Sequence, residues 1–117
     1  MVTFYGYDRC STCTKAKRAL SELGIAFESV DITTNPPDAS LLRALLAGGD
    51  YKLTDLFNKS GQRYRELGMR DKLKGMSEKE ALALLAKEGK LCKRPIVTDG
   101  KRHTVGFRPE VFERVWG

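Results

Sequence analysis

Cys10 and Cys13 stand three positions apart, separated by Ser11-Thr12, where a strand-like run gives way to a helical one. Ahead of them Val2-Thr3-Phe4-Tyr5-Gly6 is β-branched and aromatic, and Tyr7-Asp8-Arg9 turns the chain. A sulfur at a helix start meets the end whose unpaired N–H groups and dipole favour negative charge. Cys10 is therefore expected to face the N–H groups of the first turn, which favour its thiolate. The thiolate is the form that attacks electrophiles and disulfides, so the pair points to thiol or redox chemistry. Cys13, one turn along the same helix, is placed either to resolve a mixed disulfide or sulfenic acid on Cys10, or simply to pack as a small, partly buried residue.

The elements that must hold these sulfurs are legible in the patterning. Ala16, Ala19, Leu20 and Leu23 recur at the spacing of one buried helix face, which predicts a helix from Ser11 to Leu23. Gly24 follows as a left-handed cap, with Ile25 able to pack back on the last turn. Phe27, Val30 and Ile32 mark a strand within Ala26 to Ile32, completing a βαβ unit. Asn35-Pro36-Pro37 breaks the chain, and Asp38 or Ser40 caps a helix that carries Leu41, Leu42, Leu45 and Leu46 and ends at Gly48-Gly49. Short helical stretches from Lys52 to Leu73 are punctuated by Gly61 and Gly68. Ser77 with Glu80 forms a capping box ahead of Ala81 to Lys87, closed by Gly89. The middle of the chain, Asp38 to Glu88, thus reads as helical without a strand.

Strands return at Pro95-Ile96-Val97-Thr98 and Thr104-Val105-Gly106-Phe107, on either side of the turn Asp99-Gly100. Pro109 opens a last helix with Val111, Phe112 and Val115 on one side and Trp116 near its end. The order βαβ, helices, ββα predicts an α/β fold built on a mixed four-stranded sheet. Cys92, just before Arg94-Pro95, is either a second resolving thiol or a buried core cysteine. His103, near the turn, reads as a solvated residue. A zinc site drawn from Cys10, Cys13, Cys92 and His103 lacks the second short-spaced ligand pair of structural zinc sites, so no metal is expected.

With 117 residues, 41% hydrophobic and 31% charged, the chain suits one compact globular domain. No apolar run approaches the roughly 20 residues that span a bilayer, and the N-terminus lacks the charged start and apolar stretch of a secretory signal. Three cysteines are too few and too unevenly placed for a secreted disulfide framework. A reducing cytoplasm is expected, where a disulfide is transient and functional. The net charge of +6 suits anionic substrates, an acidic partner or nucleic acid without choosing among them. Basic residues alternate with acidic ones, as in Lys87-Glu88 and Arg70-Asp71-Lys72, which reads as solvated surface. Direct nucleic-acid binding is not expected, because there is neither a helix-turn-helix signature nor interleaving of basic and aromatic residues. No apolar stretch stands out as an interface, so a monomer is expected.

Four landmarks occur in order: Cys10-Ser11-Thr12-Cys13, Tyr64-Arg65-Glu66-Leu67-Gly68, Lys93-Arg94-Pro95-Ile96-Val97 and Val105-Gly106-Phe107-Arg108-Pro109. On these the chain resembles the ArsC/Spx-like family, over essentially its full length. That family joins glutathione-linked arsenate reductases to thiol-sensing regulators of RNA polymerase. The resemblance implies a single thioredoxin-like domain over residues 1–117, with a helical insertion at about 38–88. It also implies a cis peptide bond before Pro95, beside the reactive thiol, an uncommon feature for any X-Pro bond.

For the site, the resemblance makes Cys10 the nucleophile and Arg94 and Arg108 two of three oxyanion-binding arginines. The third matching position is Asn58, whose amide offers donors but no charge. Arg63 or Lys59 are the candidates to stand in for it. Guanidinium groups of this kind favour a nearby thiolate and grip an oxyanion through paired N–H donors. Arg9, next to Cys10, either adds to this field or points to solvent.

Two readings follow from the resemblance. One is a thiol-dependent oxidoreductase resembling arsenate reductase, in which Cys10 attacks an oxyanion or a mixed disulfide. No cofactor is bound, and glutathione with glutaredoxin or thioredoxin supplies electrons. The other is an Spx-like redox-sensing regulator that binds RNA polymerase through a Cys10/Cys13 disulfide switch. The thiol pair and Asn58 favour the regulator, while Arg94 and Arg108 suit both.

Overall fold

The computed structural model describes residues 2–117, which fall into two compact units. The first comprises the residues up to Ile32 together with Arg94–Gly117, and the second is Thr33–Lys93.

The first unit holds the sheet. Strand β1 (Val2–Gly6) leads through α1 (Ser11–Glu22) to β2 (Phe27–Asp31), and the chain returns with β3 (Ile96–Thr98), β4 (His103–Val105) and α6 (Pro109–Trp116). The strand order is β2-β1-β3-β4. Strand β2 runs parallel to β1, whereas β3 is antiparallel to both β1 and β4, so the sheet is mixed and thioredoxin-like, as the element order predicts. Alternation along β1 sends Val2, Phe4 and Gly6 to a buried face while Thr3 and Tyr5 are half-buried. Phe4 lies opposite Val97, and Val97 opposite Thr104, which carries that face across the sheet. On it pack Cys13, Ala16 and Leu20 of α1 with Phe112 and Trp116 of α6, forming one apolar cluster. Each large side chain buried there contributes about 1.5–3 kcal/mol.

Local chemistry sets the ends of these elements. Gly24 takes φ +76° after α1, the left-handed conformation that only glycine adopts without strain, and Ile25 packs back on the cluster. The hairpin loop runs from Asp99 to Arg102, with Gly100 at φ +95°. Asp99 accepts the N–H groups of Lys101 and Arg102 and pairs with the Arg102 guanidinium at 2.8 Å. These donors hold its carboxyl well below the usual carboxylate range, the two backbone N–H groups most of all. The loop is thus two residues longer than a tight Asp-Gly turn, and His103 belongs to β4 instead of to the turn. Its Nδ1 is 2.7 Å from Thr98 Oγ1, so the expected solvated histidine is a half-buried strand residue in a hydrogen bond.

In the second unit α2 (Ala39–Ala47), α3 (Gln62–Glu66), α4 (Met69–Lys72) and α5 (Glu78–Lys87) are joined by short 3-10 turns, and among the described residues it contains no strand. Asp38, not Ser40, caps α2 by accepting the Leu41 N–H at 2.8 Å. The Ser77/Glu80 capping box forms as expected at the start of α5. Leu42 and Leu45 of α2 and Ala81, Leu82 and Leu85 of α5 are buried, and the two helices pack together.

Trp116 ties α6 to the sheet, because its Nε1–H donates to the buried Thr104 hydroxyl at 3.1 Å. Replacing Trp116 with Phe keeps an aromatic ring but leaves Thr104 without that donor. The expected cost is about 1–3 kcal/mol in urea denaturation followed by circular dichroism. Adding Thr104→Val should recover part of the loss, since both polar partners are then gone.

Candidate functional site

Cys10 is the N-cap of α1, in extended backbone conformation (φ −93°, ψ 114°). Its Sγ accepts the Cys13 N–H at 3.3 Å, the contact expected of a sulfur seated on a first-turn donor. Its own N–H donates to the Tyr7 carbonyl at 3.1 Å, and its carbonyl accepts the Thr14 N–H at 3.1 Å. The Cys10 side chain is half-buried, so solvent reaches it.

Cys13 differs in every respect that matters for reactivity. It belongs to the buried face of α1 and is only 1% exposed. Burial, helped by the hydrogen bond with Cys10, pushes its thiol from the ordinary 9.0 up to about 12. A backbone hydrogen bond from Tyr7 and the charge of Arg94 pull the other way without winning. The sulfur packs against Gly6: a Cβ there would lie 3.3 Å from Cys13 Sγ and would collide with the Phe4 ring. A glycine at the end of β1 therefore leaves room for the Phe4 ring and the second thiol together.

Arg94 enters from the start of β3. The Arg94–Pro95 peptide bond is cis, as the resemblance implied. The guanidinium carbon lies 5.4 Å from the centre of the Tyr7 ring, and its charge acts on Cys13. This meeting follows from strand register. Tyr5 stands opposite Ile96, and continuing the same antiparallel register beyond the ladder brings Tyr7 opposite Arg94. The structure thus brings together Cys10, Cys13, Arg94 and Tyr7. Sequence reasoning placed Tyr7 only in a turn; its signal was an aromatic residue just before the thiol pair.

The other expected residues have surroundings of their own. Arg108 is the N-cap of α6, where its carbonyl accepts the Val111 and Phe112 N–H groups and its side chain is exposed. Asn58 lies in the second unit as a turn residue. Its N–H donates to the Leu91 carbonyl at 2.8 Å, its carbonyl accepts the Gly61 N–H at 3.0 Å, and its Oδ1 accepts the Ser60 hydroxyl at 3.3 Å. Arg63, a candidate substitute for the third arginine, pairs with Glu88 at 3.1 Å and Glu66 at 3.9 Å, which raises its pKa further, Glu88 foremost. Lys59 is exposed, as is Arg9. Cys92 is fully buried in the second unit, with its thiol donating to the Leu85 carbonyl at 3.5 Å, the packed core cysteine of the two alternatives. Among the described residues no three His, Cys, Asp or Glu side chains converge to hold a metal.

Comparison with known proteins gives this site its context. The model of the ArsC family matches residues 5–115, and the chain belongs to that family. It is 46% identical over 115 residues to YusI of Bacillus subtilis (strain 168), covering 98% of both chains. It is 26% identical over 110 residues to the global transcriptional regulator Spx of Streptococcus agalactiae (strain ATCC BAA-611 / 2603 V/R), covering 94% of this chain and 79% of that protein. A crystal structure described as a possible arsenate reductase, from Streptococcus mutans UA159, superposes with a TM-score of 0.85 at 45% identity, covering 92% of each chain.

The unequal burial of the cysteines predicts their chemistry. At neutral pH iodoacetamide should label Cys10 in the folded protein and spare Cys13 and Cys92, as read by peptide mass spectrometry. The raised Cys13 pKa also has a thermodynamic consequence. Below about pH 9 both folded and unfolded chains hold its proton; between about 9 and 12 only the folded chain does. Its contribution to stability should therefore be intact below pH 9 and disappear as the pH rises towards 12. Cys13→Ala should show a flatter alkaline stability profile than the wild type.

Proposed function

We propose that this ArsC-family chain is a cytoplasmic thiol-dependent oxidoreductase resembling arsenate reductase, with Cys10 as its nucleophile. The observation that carries the reading is the asymmetry of the dithiol. One sulfur is reachable and seated on a helix N-terminal N–H, while the other is buried and held as thiol by its surroundings. A first attack by Cys10 and a later one by Cys13 is the order this asymmetry favours.

On an oxyanion such as arsenate, the Cys10 thiolate attacks arsenic, and an oxygen ligand leaves as water after protonation. Arg94 and Arg108 balance the negative charge of the adduct. Cys13, or glutathione, then attacks the Cys10 sulfur. The sulfur–arsenic electron pair passes to arsenic, which departs as arsenite, and a disulfide remains. Glutathione, glutaredoxin or thioredoxin returns that disulfide to thiols and is itself oxidised. On a mixed disulfide, Cys10 displaces one thiolate and keeps the other half as a mixed disulfide; Cys13 then attacks the Cys10 sulfur, the second thiolate leaves, and the Cys10–Cys13 pair is left as the oxidised disulfide. Asn58 stands at the position that the family resemblance gives to a third arginine, and an amide supplies no charge for arsenate. No bound cofactor or metal enters either route.

A second reading has its own support. Similarity to Spx extends over 94% of this chain, and the Cys10/Cys13 pair suits a reversible disulfide switch on a protein that docks on RNA polymerase.

Turnover coupled to glutathione with glutaredoxin, or to thioredoxin, distinguishes these readings when run on arsenate and on a glutathionylated peptide. Cys10→Ser should lower the rate roughly a thousandfold or more. Cys13→Ser should stall the enzyme at the Cys10 adduct unless glutathione is raised. Wild-type turnover no faster than Cys10→Ser would remove the enzyme reading. Capture of RNA polymerase subunits by the oxidised protein, lost in Cys10→Ser, would support the switch.

A further inference from the structure

Tyr7 touches every part of the dithiol centre through a different group. Its carbonyl accepts the Cys10 N–H at 3.1 Å. Its backbone also favours the ionised form of the Cys13 sulfur. Its ring carries the Arg94 guanidinium at 5.4 Å, within the range of a cation–π contact. Both Tyr7 and Arg94 are half-buried, so the contact is neither fully hydrated nor sealed from substrate. The two backbone contacts survive any side-chain replacement. The ring contact does not.

An arginine side chain has several rotatable bonds and, without a partner, spends much of its time away from any one pose. Arg94 has no carboxylate partner among the ion pairs of the described residues, and its side chain meets the Tyr7 ring. Contact with an aromatic ring holds a guanidinium without using its N–H groups, which leaves those donors available to an incoming anion. A carboxylate in the same place would occupy those donors and cancel the charge. The ring is therefore a support that orients the cation without neutralising it.

From this geometry we propose that Tyr7 is a positioning residue that selects anionic substrates, by clamping the Arg94 guanidinium beside the Cys10/Cys13 pair. The proposal rests on the reading of Cys10 as a reactive thiol and of Arg94 as the group that meets substrate charge. It extends that reading by assigning the arginine's orientation to an aromatic support and the site's preference to substrates carrying negative charge near the electrophilic atom.

The test compares two aromatic disulfides reacting with the reduced full-length protein under stopped flow. Dithiobis(nitrobenzoate) carries a carboxylate on each ring, whereas dithiodipyridine is uncharged at neutral pH. In each reaction the Cys10 thiolate displaces one coloured thiolate, and Cys13 then displaces the other as the disulfide closes, so atoms and electrons balance. The readout is the ratio of the anionic to the neutral rate constant for the first displacement. General effects on folding or on the nucleophile cancel in that ratio, as does the exposed Arg9, present throughout.

Tyr7→Leu should lower the ratio about two- to fivefold, the size expected for losing one cation–π contact at a half-exposed position. Tyr7→Phe, which keeps the ring, should leave it unchanged. Arg94→Gln should lower it at least as far, and adding Tyr7→Leu to that variant should do nothing more. A ratio in Tyr7→Leu equal to wild type, or equally lowered in Tyr7→Phe, overturns the assignment of Tyr7 while leaving Cys10 as a reactive thiol. Failure of wild-type Cys10 to react with either disulfide overturns the underlying reading instead.

Discussion

Antiparallel pairing of β1 with β3 joins segments from opposite ends of the chain, and the chemistry of the site follows from its register. Phe4 against Val97 and Tyr5 against Ile96 are ordinary apolar ladder pairs. Just past the paired residues, the same register sets the turn before Cys10 against the Arg94–Pro95 segment. A slip of one residue would exchange the faces of every side chain in the strand, exposing Phe4 and carrying Gly6 away from the Cys13 sulfur. The apolar cluster thus specifies the register, and the register in turn delivers a guanidinium to a dithiol.

Around that ladder the two sulfurs are differentiated chiefly by burial. They share a helix, a charge field and a backbone turn, yet Cys10 caps the helix while Cys13 faces the core beneath it. Desolvation opposes ionisation of the inner sulfur more strongly than Arg94 and Tyr7 promote it. Sequential attack needs such inequality, because two equally ionised thiolates would repel one another and compete for the same electrophile. Gly6 contributes by omission: a side chain there would collide with the Phe4 ring and crowd the inner sulfur.

Much of the fold was legible because local signals agreed with one another. The helix after Cys10, the Gly24 cap, the Asp38 and Ser77 caps and the strand at Ile96 each rest on side chains within a few residues of the feature they specify. The hairpin was read less well, since Asp99-Gly100 signals a tight turn while Asp99 in fact accepts two N–H groups of a wider loop. His103 was misplaced for the same reason. Its role depends on Thr98 across the ladder, a partner that turn statistics do not see.

The site divides along the same line. Composition and spacing alone identified Cys10 as a helix-capping thiol with a second sulfur one turn on, because helix geometry relates residues three apart without reference to the rest of the chain. Which sulfur is buried, that Tyr7 supports Arg94, and that Arg63 is taken up by Glu88 and Glu66 were decided by tertiary structure. Solvation and ion pairing depend on what lies across a strand or against a neighbouring helix, and a linear pattern carries no such distances.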